Sequence, residues 1–204
     1  MASDRAEETK RQIIDTALAL LRRHGQDKLT VVDIARTLGM SHANVYRYFC
    51  NRNEILDALI DDWMAKVQAF AEGIARRPES ASVRIESVLL EFHRRRRQKL
   101  VEDPEVYQTV QRVFELRPQA LARHRQAIQS VFAQLVAEGI KNGEFHELKV
   151  DEATEILMDA TVLFVHPLMI PSLLELPNDA AELRARRVVG AILTSFRELA
   201  FSSN

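Results

Sequence analysis

Cysteine is almost missing from this 204-residue chain. Cys50 stands alone, which excludes internal disulfides and any multi-thiolate zinc site. Glycine and proline are sparse too, six of each, so long helices are permitted and a turn-rich all-β fold is disfavoured. No apolar run is long enough for a membrane. The most apolar stretch, residues 156–170, contains Asp159, His166 and Pro167, and as a helix it spans only about 22 Å. The opening MASDRAEETKRQ is charged and lacks the apolar core of a signal peptide, so the expected compartment is the cytoplasm. There is no Gly-rich phosphate loop, nucleophile elbow or His-Glu-x-x-His pattern. Asp159 and His166 lie seven apart but have no third ligand. The reading is of a non-enzyme, with no catalytic residues, metal or cofactor.

What is present is ordinary globular material, 47% hydrophobic and 28% charged. The formal net charge is −1, but it is unevenly spread. Residues 1–52 carry nine Lys and Arg against six Asp and Glu, a balance of +3, and residues 53–204 carry nineteen against twenty-three, a balance of −4. A basic head on an acidic body suits a protein whose first fifty residues approach a polyanion.

Hydrophobic spacing and capping residues predict an all-α chain of nine helices. Ile13, Ile14, Ala17, Leu18 and Leu21 carry a first helix over residues 5–24, which Gly25 stops. Thr30 with Asp33 caps a short helix over 31–38, Gly39 makes the turn, and Ser41 caps 42–48. Asn51 with Glu54 opens a long helix to about residue 77. Later helices cover 82–101, 103–116, 118–142, a span from 151 to the 167–171 region, and 179–200. Asp103-Pro104 opens the sixth of them with proline at its first position. The expected division is a head over 1–52 and a body over 53–204.

The two short helices around Gly39 have the form of a helix-turn-helix, which presents its second helix to the major groove. Ala35 is small where the pair must cross, and Ile34, Leu38, Met40 and Val45 are apolar where they pack. Ser41, His42, Asn44, Tyr46 and Arg47 form a polar set on the second helix. Asn can read adenine in bidentate fashion, and Ser, Tyr and Arg can donate to phosphates or base edges.

Taken together, Thr30, Ile34-Ala35, Gly39-Met40-Ser41, Val45-Tyr46-Arg47-Tyr48-Phe49, Asn51-Arg52 and Glu54-Ile55-Leu56 resemble the DNA-binding head of TetR/AcrR-type transcriptional regulators. The resemblance implies a phosphate contact from Thr30 and recognition contacts from Ser41, His42, Ala43, Asn44, Tyr46 and Tyr48. Arg52 stands where the family often has a lysine, which keeps the charge and adds donors. Ala43 can offer a thymine methyl only an apolar contact, which leaves base reading to His42 and Asn44. The resemblance further implies a homodimeric regulator, most often a repressor, that binds a two-fold (pseudo)palindromic operator in double-stranded DNA and is released by a small-molecule effector.

In the body, an effector site would be an apolar cavity with a few polar groups. Its candidate lining is Trp63, Val67, Phe70, Phe92, His93, Arg96, Phe114, Phe132, Met158 and Phe164. The run Arg94-Arg95-Arg96-Arg97 sweeps about 300° of helix, so its members cannot share one solvated face. Arg96 continues the stripe of Val88 and Phe92. It is read either as a snorkelling or paired arginine, the favoured view, or as an anion-binding group, and the effector accordingly as apolar or anionic. The last two helices are apolar on nearly every side, which predicts a partner covering them. Leu163, Val165, Val188, Val189, Ile192 and Phe196 are the expected dimer contacts, and Gly190 is a candidate close-approach point. The competing reading is a helical adaptor for a protein partner, which would lack the steep salt dependence of DNA binding.

Overall fold

A computed structural model describes residues 2–25, 28–116 and 118–198. They form nine α-helices with no strand among the described residues. Packing groups them into two compact units, Met1–Lys66 with Glu102–Arg117, and Val67–Val101 with Pro118–Asn204.

The first unit is built on α1 (Ala2–His24), α2 (Val31–Thr37), α3 (His42–Tyr46), the start of α4 (Arg52–Ala75) and α6 (Pro104–Leu116). Its small core is Ile13, Ala17, Ile34, Ala35, Val45 and Ile55, with Leu29, Val31, Phe49 and Leu56. Gly25 and Gly39 take left-handed φ of 76° and 65°, conformations that other residues adopt only at a cost. Each therefore ends a helix and turns the chain sharply. The third helix stops two residues before the expected end at 48. Arg47 N–H and Tyr48 N–H bond back to the carbonyls of Asn44 and Val45, three residues earlier, a tighter winding that closes the helix. By packing, α6 goes with the head and not with the helices that flank it in sequence. Arg22 reaches Asp103 at 2.9 Å across that contact.

The second unit contains the rest of α4, α5 (Ala81–Glu102), α7 (Pro118–Lys141), α8 (Val150–Val165), a 3-10 turn over Ile170–Leu173, and α9 (Asn178–Glu198). Its main core joins Ile85, Val88, Leu89 and Phe92 of α5 to Phe132, Leu135 and Val136 of α7, Leu157 of α8, and Val189, Leu193 and Phe196 of α9. Helix α8 ends at Val165, earlier than the expected 167–171. Pro167 forces the preceding residue out of helical geometry, and His166 accordingly has ψ of 128°. The expected end of the last helix, residue 200, lies outside the described residues. No helix of the described residues is long and apolar enough to cross a membrane.

Candidate DNA-binding surface and effector body

The geometry of the head follows from its caps. Thr30 Oγ1 accepts from the Asp33 N–H at 3.1 Å and donates to Asp33 Oδ2 at 2.6 Å, which fixes the start of α2. Ser41 Oγ accepts from the Asn44 N–H at 3.2 Å and starts α3. Asn51 Oδ1 accepts from the Glu54 N–H at 3.1 Å, and Glu54 Oε2 reaches back to the Cys50 N–H at 2.7 Å. That reciprocal pair anchors α4 directly after the recognition helix.

With the ends fixed, rotation about α3 decides which side chains face outward. Val45 is fully buried and Phe49 nearly so, while Tyr46 is 50% exposed. Thr30, Ser41, His42, Ala43, Tyr46 and Arg47 are all exposed, and Arg52 is half-buried. The six exposed side chains share the solvent side of the motif. Asn44 and Tyr48 are placed differently. Asn44 is half-buried, and its amide nitrogen lies 3.7 Å from Met40 Sδ, so part of its donor capacity is turned toward the protein. Tyr48 packs against the head core. It also lines a cleft of about 910 Å³ with Asp4, Glu7, Glu54, Asp57 and Asp61, whose negative field repels phosphate. Cys50 is exposed and free.

In the body, Phe92, His93, Arg96, Phe132 and Phe164 are buried. Val67, Phe70 and Met158 pack partly buried against the main core, and Trp63 and Phe114 fall in the other packing unit. Phe70 lies in a surface cleft of about 460 Å³ with Ile74, Leu90 and Arg186, under the Arg95 guanidinium at 3.8 Å. His93 Nδ1 sits 3.1 Å from the Phe164 carbonyl oxygen, with the two rings edge to face at 6.2 Å. Burial lowers the His93 pKa, against the opposing pull of that hydrogen bond.

The arginine run divides four ways. Arg94 is exposed and paired with Glu182. Arg95 pairs with Glu91 at 2.9 Å. Arg96 is buried, 4.9 Å over the Phe92 ring and 3.0 Å from His124 Nε2. Arg97 is also buried and donates to the carbonyls of Leu173, at 2.7 Å, and Leu176. Sequence reasoning singled out Arg96 but missed Arg97 and His124, whose partners become neighbours only through tertiary packing. His124 is held neutral, its pKa lowered to about 3 chiefly by burial and then by Arg96. No group of three or more His, Cys, Asp or Glu among the described residues could hold a metal ion.

Three of the expected dimer contacts lie in the core of their own protomer. Val189 and Phe196 are 1% and 0% exposed, and Ile192 joins them in the same protomer core. Side chains enclosed by their own chain cannot also cover a partner. Leu163, Val165 and Val188 are half-buried against that core or the cluster beside it. The outward apolar residues of these helices are instead Ile156, Val162 and Leu183. On α9, Gly190 and Ala191 are exposed as well.

Comparison with known proteins agrees with this geometry. A family model described as "Bacterial regulatory proteins, tetR family" matches residues 13–59. A second, "Tetracyclin repressor-like, C-terminal domain", matches residues 81–189, more than half of the chain. The chain belongs to the TetR family of transcriptional regulators. Its members are DNA-binding regulators and not enzymes.

Among curated relatives, the HTH-type transcriptional regulator TtgR of Pseudomonas putida is 34% identical over 58 residues, 28% of each chain. The curated relatives it matches are covered over only 28% to 54% of their own length. Among solved structures, a TetR/AcrR-family regulator from Thermobifida fusca aligns with TM-score 0.68 at 22% identity, over 94% of this chain and 100% of that one. FadR of Bacillus subtilis, solved in complex with stearoyl-CoA, aligns with TM-score 0.63 at 21% identity, over 90% and 97%. At these identities the structural likenesses establish the fold.

Proposed function

We propose that this TetR-family regulator is a dimeric, cytoplasmic repressor that holds a two-fold (pseudo)palindromic operator through α3 and releases it when a small molecule binds the body. The observation that carries the reading is the outward set of Ser41, His42, Ala43, Tyr46 and Arg47 on a helix pinned from behind by Val45. An exposed polar face opposite one buried anchor is what a helix needs to lie in the major groove. Thr30 and Arg52 supply flanking phosphate contacts, with Asn44 and Tyr48 in lesser roles.

Functionally, residues 1–52 read DNA and 53–204 bind effector and partner. Helix α4 runs unbroken from the head at Arg52 into the second packing unit at Val67, which gives effector binding a covalent route to the reader. Effector acts by having different affinity for two arrangements of the dimer. Val67, Phe70, Phe92, His93, Arg96, Phe132, Met158 and Phe164, all of the second packing unit, are its proposed surroundings. The outward residues of α8 and α9 make the isologous contact.

The test is fluorescence anisotropy with DNA from upstream of the protein's own gene, against a scrambled duplex at two salt concentrations. Expected is tight binding to the native sequence that falls roughly a thousandfold or more between about 50 and 200 mM salt and is lost in Tyr46→Ala. Equal, weak binding to both duplexes would overturn the reading in favour of an adaptor.

A further inference from the structure

Two stripes of side chains in the second packing unit line one surface cleft. Phe70, Ile74 and Arg77 follow at steps of four and three along α4 and the turn after it, and Val83, Ser87, Leu90 and Arg94 follow at steps of four, three and four along α5. Both sets border the cleft of about 460 Å³, which Glu86, Glu91, Arg95 and Arg186 also line. That volume lies in the range of small-molecule sites.

The cleft has an apolar part and a charged part. Ile74 and Leu90 are buried, Phe70 is half-buried, and Val83 is 48% exposed. Four guanidinium groups share this space. Three have a carboxylate each: Arg94 pairs with Glu182, Arg95 with Glu91 at 2.9 Å, and Arg186 with Glu86 at 2.5 Å. These pairs fix their guanidinium groups, and Arg95 is also held 3.8 Å over the Phe70 ring. The fourth, Arg77, is exposed and forms no ion pair among the described residues. Four positive charges thus meet three negative ones, within a body whose residues 53–204 balance at −4.

An ion-pair network accounts for three of the arginines. It accounts neither for Arg77 nor for the exposed hydrocarbon of Val83. Water satisfies Arg77 but leaves that hydrocarbon wet, and an inorganic anion does the same. A neutral apolar molecule covers the hydrocarbon and leaves the surplus charge unmatched. The amides at the start of α5 are no alternative anchor, since Glu144 already accepts from the Ala81 and Ser82 N–H groups at 2.7 and 2.9 Å.

We propose that this cleft binds a small amphipathic monoanion, with one carboxylate on Arg77 and an apolar body against Phe70, Ile74, Val83 and Leu90. Guanidinium and carboxylate match as planar, two-pronged partners. The site joins α4 to α5, and Phe70 and Ile74 belong to the helix that starts at Arg52. Its use by an effector rests on the reading that effector binds the body, whereas binding in the cleft does not.

The test uses the full chain and a graded series of 4-alkylbenzoates, each compared with the matching 4-alkylbenzyl alcohol and with acetate. Calorimetry should show at least one benzoate binding about tenfold or more tighter than its alcohol and than acetate, and more weakly as salt rises. Backbone amide resonances should shift over residues 70–95 and at Arg186. Arg77→Gln should weaken that benzoate about fivefold and leave the alcohol unchanged. Val83→Glu, which puts a negative charge beside the ligand, should abolish binding. Both side chains are exposed, so circular dichroism should be unaltered in either variant. Equal binding of acid and alcohol, equal binding of acid and acetate, affinity untouched by both substitutions, shifts confined to other residues, or binding by no benzoate overturns the proposal. Operator release is followed separately by anisotropy. Benzoate in the cleft without release would remove this site from the effector mechanism and leave the binding site standing.

Discussion

The Arg96 guanidinium donates toward His124 Nε2 across 3.0 Å, and both side chains are buried, at 4% and 6% exposure. An imidazole that accepts from a permanent cation cannot itself be protonated without placing two positive charges in contact. The pair therefore works only while His124 is neutral, and its pKa is lowered from 6.5 to about 3.

That sets a pH dependence with a definite sign. The unfolded chain takes up the proton near pH 6.5 and the folded chain only near 3, so the stabilisation is complete above 6.5 and is lost as pH falls between those values. Each unit of acidification in that window costs up to about 1.4 kcal/mol. His93 and His166, also shifted downward, add to the same slope. Urea midpoints at pH 7.5, 6.5 and 5.5 should fall steadily in the parent protein and less steeply in His124→Gln. Parallel slopes in the two proteins would show that His124 titrates normally.

Thr30 caps α2, and the phosphate contact proposed for it separates from that role experimentally. Its hydroxyl is engaged with both the backbone and the carboxylate of Asp33, so Thr30→Ala should cost about 1 kcal/mol through loss of the cap. DNA affinity should fall with it, and Thr30→Ser should restore both. If Thr30→Ala weakens DNA binding while the urea midpoint stays put, the hydroxyl's main work is on phosphate.

Much of the head was legible because its signals are local. Thr30 with Asp33, Ser41 with Asn44, and Asn51 with Glu54 are all three apart, within reach of one helical turn, and each forms the capping bond its spacing predicts. The body was less legible because its decisive contacts are distant in sequence. Arg97 finds its acceptors 76 and 79 residues on, and no periodicity announces a backbone carbonyl. The apolar residues of α9 were too numerous to sort by eye. Their burial shows that Ala181, Ala185, Val189, Ile192 and Phe196 form the inward stripe, at the steps of three and four that one buried helix face requires.

The buried Arg97 makes its own prediction. It holds the end of the 3-10 turn and the segment after it by donating to Leu173 at 2.7 Å, and also to Leu174 and Leu176. Charge-assisted hydrogen bonds of this kind are individually worth about 2 kcal/mol. Arg97→Ala should lower stability by at least that much and raise amide exchange selectively over residues 170–176. Arg97→Lys should recover only part of the protection, since an ammonium on a single stem cannot span acceptors that a planar fork reaches together. Uniform exchange across the body would show that the arginine supports the whole core and not this segment.

Two glycines on helices put the dimer to the test. A Cβ at Gly139 would fall 2.3 Å from the Phe145 ring and 3.1 Å from Ala81 Cβ, so Gly139→Ala should overpack the protomer and cost about 1–3 kcal/mol. At Gly190 a Cβ would meet nothing within 4 Å. Within one protomer, then, no contact requires glycine there, and mid-helix glycine is unfavourable by about 1 kcal/mol relative to alanine. A partner helix crossing at Gly190 and Ala191, as proposed for the dimer, would supply a reason. Gly190→Arg should therefore shift the protein from dimer to monomer in light scattering while its circular dichroism stays unchanged, and operator affinity should collapse because two half-sites can no longer be held together. A dimer that survives Gly190→Arg places the two-fold contact elsewhere on the body.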